Sequence, residues 1–139
     1  MSLTERQKQR VRERAGNCCE YCRVSQASRL TRFQVDHIIA VAHGGSDEDD
    51  NLCLACYACN AFKGTNVAAF DPQTGNPTAL YHPRKQSWDD HFRLEDNATI
   101  SGITPEGRTT VAVLRMNDPK RAKQRLGEIS TGDYPCKKE

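Results

Sequence analysis

The chain has 139 residues, 37% of them hydrophobic and only 6% aromatic, which leaves room for one domain with a small appendage around a thin core. A thin core needs a staple, and seven cysteines are available for one. No apolar run approaches the ~18 residues that mark a membrane span. The N-terminus, rich in Thr, Glu, Lys and Arg, has no apolar stretch behind it, unlike a secretory signal, so the expectation is a cytoplasmic protein with reduced cysteines.

In chain order, Thr4 with Gln7 forms a capping-box pattern and Gly16 a stop signal, which predicts a helix over 4–15. The helix is polar and basic; residues 1–32 carry an excess of five positive charges, whereas residues 36–50 hold five acids and no Lys or Arg. A basic face beside an acidic pocket suits an enzyme that grips phosphates and holds a cation, although a solvated helix beside a solvated loop has the same charges. A tight cysteine knuckle over 17–23 precedes a predicted strand over 33–41, a Gly44-Gly45-Ser46 turn and the acidic loop 47–50. Residues 52–55 read as a second short strand or turn, followed by a second knuckle and a helix over 57–63 that Gly64 ends. Beyond residue 70 the composition shifts to a Pro- and Gly-punctuated, loop-rich stretch. The segments 91–94 and 98–103 then suggest a hairpin, and Thr104-Pro105 and Asp118-Pro119 each begin a helix, the last over 119–128. The expected organisation is a core over 1–70, an extension over 71–129 and a frayed tail over 130–139 that contains Cys136.

Cys19-x2-Cys22 and Cys56-x2-Cys59 are two thiolate pairs with the spacing that presents both sulfurs to one ion. Four thiolates form the tetrahedral shell that Zn2+ accepts. Cys53-x2-Cys56 has the same spacing, but the helical segment after Cys59 favours the 56 and 59 pair, leaving Cys18 and Cys53 as small buried residues. A thiol redox pair is the competing account; no thioredoxin-like pattern surrounds either knuckle.

Around the knuckles stand Asp36-His37-Ile38-Ile39, Gly44-Gly45, Asn51-Leu52 and Cys59-Asn60-x2-Lys63-Gly64. This order resembles the HNH endonucleases, in the subgroup whose ββα-metal motif is stapled by two CxxC pairs, over about residues 17–65. Asn60 stands where that family often has His. The resemblance implies an α+β fold, a zinc-stapled ββα-metal core with flanking helices and a C-terminal extension of hairpin plus helices. It further implies a DNA substrate, with RNA as another possible partner, cut by metal-assisted hydrolysis. Asp36 and Asn60 would hold Mg2+, Mn2+ or another divalent cation, and His37 would act as general base. Asn51 would fix the loop or bond near His37, and Lys63 would meet a phosphate, with Arg12, Arg14 and Arg23 as further nucleic-acid contacts. On a strand, Asp36 and His37 point to opposite faces, so a bulge or strong twist is expected there. His43 reads as a turn residue, and Trp88 and Phe92 as packing residues. The segment 80–128 also resembles an extension found with some bacterial HNH proteins of this size. A zinc-stabilised nucleic-acid-binding module without turnover is the alternative from another class.

Overall fold

The computed structural model describes residues 3–138; the first two residues of the expected 1–70 core and Glu139 of the expected tail lie outside them. Helix α1 (Glu5–Ala15) begins at Thr4, whose side chain accepts from the Gln7 amide while the Gln7 side chain returns to the Thr4 amide, and it ends on Gly16 in the left-handed region (φ 61°). Its buried stripe is Val11 and Ala15, a narrow seam against the strands that leaves most of the helix facing outward.

Strands β1 (Gln34–His37) and β2 (Leu52–Ala55) pair antiparallel, with Asp36 opposite Cys53 and His37 opposite Leu52. All four residues of β2 are buried, so this strand is the floor of the core. Helix α2 (Tyr57–Lys63) follows at once, with Cys56 as its N-cap. The β-β-α order expected of the core is therefore present. β1 stops at His37 instead of running to 41, because residues 41–43 form a 3-10 turn closed by Gly44.

The stretch read as loop-rich contains a hairpin, β3 (Ala68–Phe70) with β4 (Pro77–Ala79). Both strands are only three residues long, without a buried position, so no alternating pattern betrays them. Asp71 closes this hairpin: its carboxylate accepts from the Arg108 Nε at 3.1 Å and Nη2 at 2.8 Å, and from the Gln73 amide at 3.0 Å. The paired guanidinium holds the Asp71 carboxyl well below the usual carboxylate range. A short helix α3 (Trp88–His91) leads into the hairpin β5 (Phe92–Leu94) with β6 (Ile100–Gly102). Helices α4 (Pro105–Val113) and α5 (Pro119–Thr131) start at Thr104 and Asp118, as their cap residues predict.

The architecture is α+β: small antiparallel pairs with helices packed around them. One buried cluster joins Val11, Phe33 and Leu54 of the first half to Trp88, Phe92 and Met116 of the second. Trp88 and Phe92 pack as expected, and the Trp88 indole donates to the Tyr21 carbonyl at 2.7 Å, inside the first knuckle.

Two expectations about the cysteines and the tail are corrected. Cys18 is bonded to Cys136 in a disulfide, so it is not a free buried thiol. The segment leading to Cys136 is packed: Tyr134 is buried, its hydroxyl donates to the Cys22 carbonyl at 2.7 Å, and the Cys136 amide donates to the Arg23 carbonyl at 2.9 Å. These contacts lay the end of the chain along the first knuckle and bring Cys136 beside Cys18. Among the described residues, no helix is long and apolar enough to cross a membrane.

Candidate functional site

The four sulfurs of Cys19, Cys22, Cys56 and Cys59 lie within 4.8 Å of one another, all buried. A tetrahedron with ~2.3 Å zinc–sulfur bonds has sulfur–sulfur edges of ~3.8 Å, and the Cys22 and Cys56 sulfurs stand 3.8 Å apart. The donor set therefore fits a structural zinc ion. Backbone amides of Cys22 and Cys59 point at the sulfurs of Cys19 and Cys56, each at 3.5 Å, the local bonds that shape each knuckle. Arg121 of α5 donates to the Cys59 sulfur at 3.1 Å and lies 3.9 Å from that of Cys56. A tetrathiolate zinc centre carries two net negative charges, and a guanidinium at this distance offsets part of them. Cys53 is fully buried outside the cluster. Burial first, and then the neighbouring Asp36 charge, push its thiol far above its ordinary pKa, so it stays neutral.

Asp36 points inward from β1 and is 6% exposed. Its Oδ2 accepts from the Tyr21 hydroxyl at 2.9 Å and the Lys63 ammonium at 3.1 Å, with the Cys53 thiol at 3.7 Å. Burial, reinforced by Cys53 and Asp36, keeps the Tyr21 phenol protonated and able to donate. Among the described residues, the Oδ1 atom meets only Lys63, at 3.4 Å. Lys63 is 1% exposed and also donates to the His37 carbonyl at 3.1 Å. The sequence expectation of Lys63 as a phosphate contact is thereby corrected: α2 turns this side chain into the core, where it neutralises Asp36.

Removing one member of such a pair leaves a buried charge without compensation, which costs about 3–5 kcal/mol. Lys63→Met is expected to lose that much in urea unfolding, and adding Asp36→Asn should return part of it. An unchanged urea midpoint for Lys63→Met would show that the pair does not support the fold.

His37 alternates to the other face of β1, with 24% of its side chain exposed. The pairing of β1 with β2 is regular in register, so the bulge expected at Asp36-His37 is absent. Its Nε2 lies 2.8 Å from Oδ1 of Asp47. Asn51 does hold the loop: its carbonyl accepts the Ile39 amide at 2.8 Å, and its amide donates to the carbonyls of Ile39 at 3.0 Å and Ser46 at 2.8 Å. A Cβ at Gly45 would lie 1.7 Å from the Ile39 carbonyl oxygen, so only glycine lets these two backbones meet. Asn60 sits on α2, half-buried, and its side-chain amide has no hydrogen-bond partner among the described residues.

Asp36, His37 and Asn60 border one depression of about 290 Å³, whose other lining residues include Ala40, Gly64 and Thr65. His43 is an exposed turn residue. The basic candidates already have partners within the chain. Arg12 donates to the Phe33 carbonyl at 3.0 Å and Arg14 to the Asp49 carbonyl at 2.9 Å, fastening α1 to the core. Arg23 pairs with Asp89 at 3.5 Å and stacks over the Trp88 ring at 4.1 Å. Sequence reasoning missed Tyr21, Asp47 and Arg121. Tyr21 lay between two cysteines and Asp47 among four consecutive acids, so neither stood out, whereas Arg121 reaches the knot only through the folding of α5.

The family model for HNH endonucleases matches residues 19–66. No curated protein and no solved structure matches the chain.

Proposed function

With residues 19–66 an HNH domain, we propose that this protein is a divalent-metal-dependent endonuclease that hydrolyses phosphodiester bonds in DNA. The observation that carries the reading is that Asp36, His37 and Asn60 all border one depression, within the stretch that also carries the four-cysteine knot.

The donors at this place suit a hard cation. Asp36 offers Oδ1, which has only a long 3.4 Å contact with Lys63, while Oδ2 is tied more closely by Tyr21 and Lys63, and Asn60 offers a carbonyl oxygen that no described residue engages. Few protein oxygens completed by water is how Mg2+ and Mn2+ are commonly held. When bound, such a cation neutralises charge on the scissile phosphate and on the leaving oxygen. The chain's own residues do the rest. Tyr21 and Lys63 hold the Asp36 carboxylate in place, Asn51 fixes the loop beside the strand, and His37 removes the proton of the attacking water. Arg12 and Arg14 of α1 and Arg23 of the first knuckle are the guanidinium groups that would meet phosphates of the substrate, each giving up its present intrachain contact to do so.

The test is nicking of supercoiled plasmid by the purified chain with Mg2+ or Mn2+, against the same reaction in EDTA at a concentration that spares the zinc. Cation-dependent conversion to open circles is expected. Retention of plasmid in a gel-shift without nicking under either cation would overturn the reading in favour of a zinc-stapled binding module.

A further inference from the structure

The pair formed by His37 and Asp47 goes beyond the roles assigned above, and the proposal rests on His37 being the general base. We propose that Asp47 is the positioning residue of the site: its carboxylate fixes the His37 tautomer so that Nδ1, and not Nε2, accepts the proton from water.

An ionised carboxylate has no hydrogen to give, so the 2.8 Å contact between Nε2 and the Asp47 Oδ1 requires the proton to sit on Nε2. A neutral imidazole has one N–H and one lone pair, and the lone pair is then on Nδ1. Nδ1 has no hydrogen-bond partner among the described residues, and His37 borders the depression that Asp36 and Asn60 share. The base atom is thus the unengaged nitrogen of a partly exposed ring whose other nitrogen is held.

Asp47 is itself held in place from several sides. Its carbonyl accepts the Gln7 side-chain amide of α1 at 3.1 Å. The carbonyl of the preceding Ser46 accepts from Asn51 at 2.8 Å, and the Ser46 hydroxyl accepts the Glu48 amide at 3.2 Å. Asp49, two positions on, is tied to Arg10 at 3.2 Å. Asp47 alone of the four consecutive acids meets the imidazole. This gives Asn51 a second consequence: by fixing Ser46, it sets where the carboxylate of the next residue falls. An acid that orients the imidazole from the side away from the reaction is the arrangement of a Ser-His-Asp triad, where exchanging that acid for its amide selects the wrong tautomer.

The experiment compares Asp47→Asn, Asp47→Glu and His37→Ala in the full chain, on supercoiled plasmid with Mn2+, alongside NMR of the isotope-labelled imidazole nitrogens. Asp47→Asn is expected to lower kcat by about a hundredfold or more with KM changed less than about threefold, and Asp47→Glu to recover part of it. In the wild type, the His37 ring should show a protonated Nε2 and an unprotonated Nδ1, and Asp47→Asn should mix the two forms. This readout needs no cleavage and would not move if Asp47 served only the fold. Wild-type kcat for Asp47→Asn beside an inactive His37→Ala overturns the proposal and leaves the general base in place. A ring protonated on Nδ1 in the wild type overturns it as well. Full activity of His37→Ala would instead remove the base on which the proposal stands.

Discussion

Cys56→Ser is expected to strip the zinc and to lower the thermal midpoint by more than about 20 °C. Binding of structural zinc by such ligand sets is worth about 10–16 kcal/mol, and that free energy is folding free energy. A domain of this size has only about 5–15 kcal/mol to lose. Cys56 also does two local jobs: it lies 3.8 Å from the Cys22 sulfur across the knot, and it caps α2 by accepting the Cys59 amide. Without the ion, four thiols within 4.8 Å of one another would be held only by their protein walls, and the like charges of any thiolates among them would repel. The knot joins segments that 34 positions separate, so its loss frees α2 from β1 and with it Lys63 from Asp36. Metal analysis and thermal unfolding by circular dichroism read the result. One equivalent of zinc and a wild-type midpoint in Cys56→Ser would remove this residue from the ligand set.

That knot was legible because its information is local: each CxxC pair is a four-residue pattern, and the adjacency of Asp36 and His37 needs no folding to be seen. Helix α1 was legible for the same reason, since Thr4, Gln7 and Gly16 carry its ends. What escaped was set by tertiary contact. Cys18 and Cys136 are 118 positions apart, and nothing near Cys136 tells that Tyr134 returns to the first knuckle. Lys63 looks like any lysine at the end of a short helix, where a cation suits the helix dipole; only the angle of α2 against β1 turns its ammonium onto Asp36. The bulge expected at Asp36-His37 was a demand that both side chains share one face. The strand pairs without a bulge, and both residues nevertheless border one depression. Asp47 was hidden by its neighbours, because four acids in a row read as a solvated loop until Asn51 shows which one the loop delivers to His37.

His37→Ala is expected to lower plasmid nicking by about a hundred- to ten-thousandfold, the usual contribution of a positioned general base, while the protein stays folded. The separation of function from stability follows from where the ring sits. A quarter of the side chain is exposed and its one hydrogen bond is to Asp47, itself 39% exposed, so losing the pair costs no more than about 1 kcal/mol. The Lys63 contact in this region goes to the His37 backbone carbonyl, which alanine retains, and Leu52 opposite on β2 keeps its strand partner. The zinc knot lies on other residues entirely. The variant should therefore hold one zinc, unfold within a few degrees of the wild type and still retain plasmid in a gel-shift, with only turnover lost. His37→Gln makes the stricter comparison, since it keeps a polar group of similar reach that cannot take up a proton near neutral pH; it should be as inactive as alanine. Nicking at the wild-type rate by either variant would mean that water is activated elsewhere, and the acid-bearing depression would then need another base.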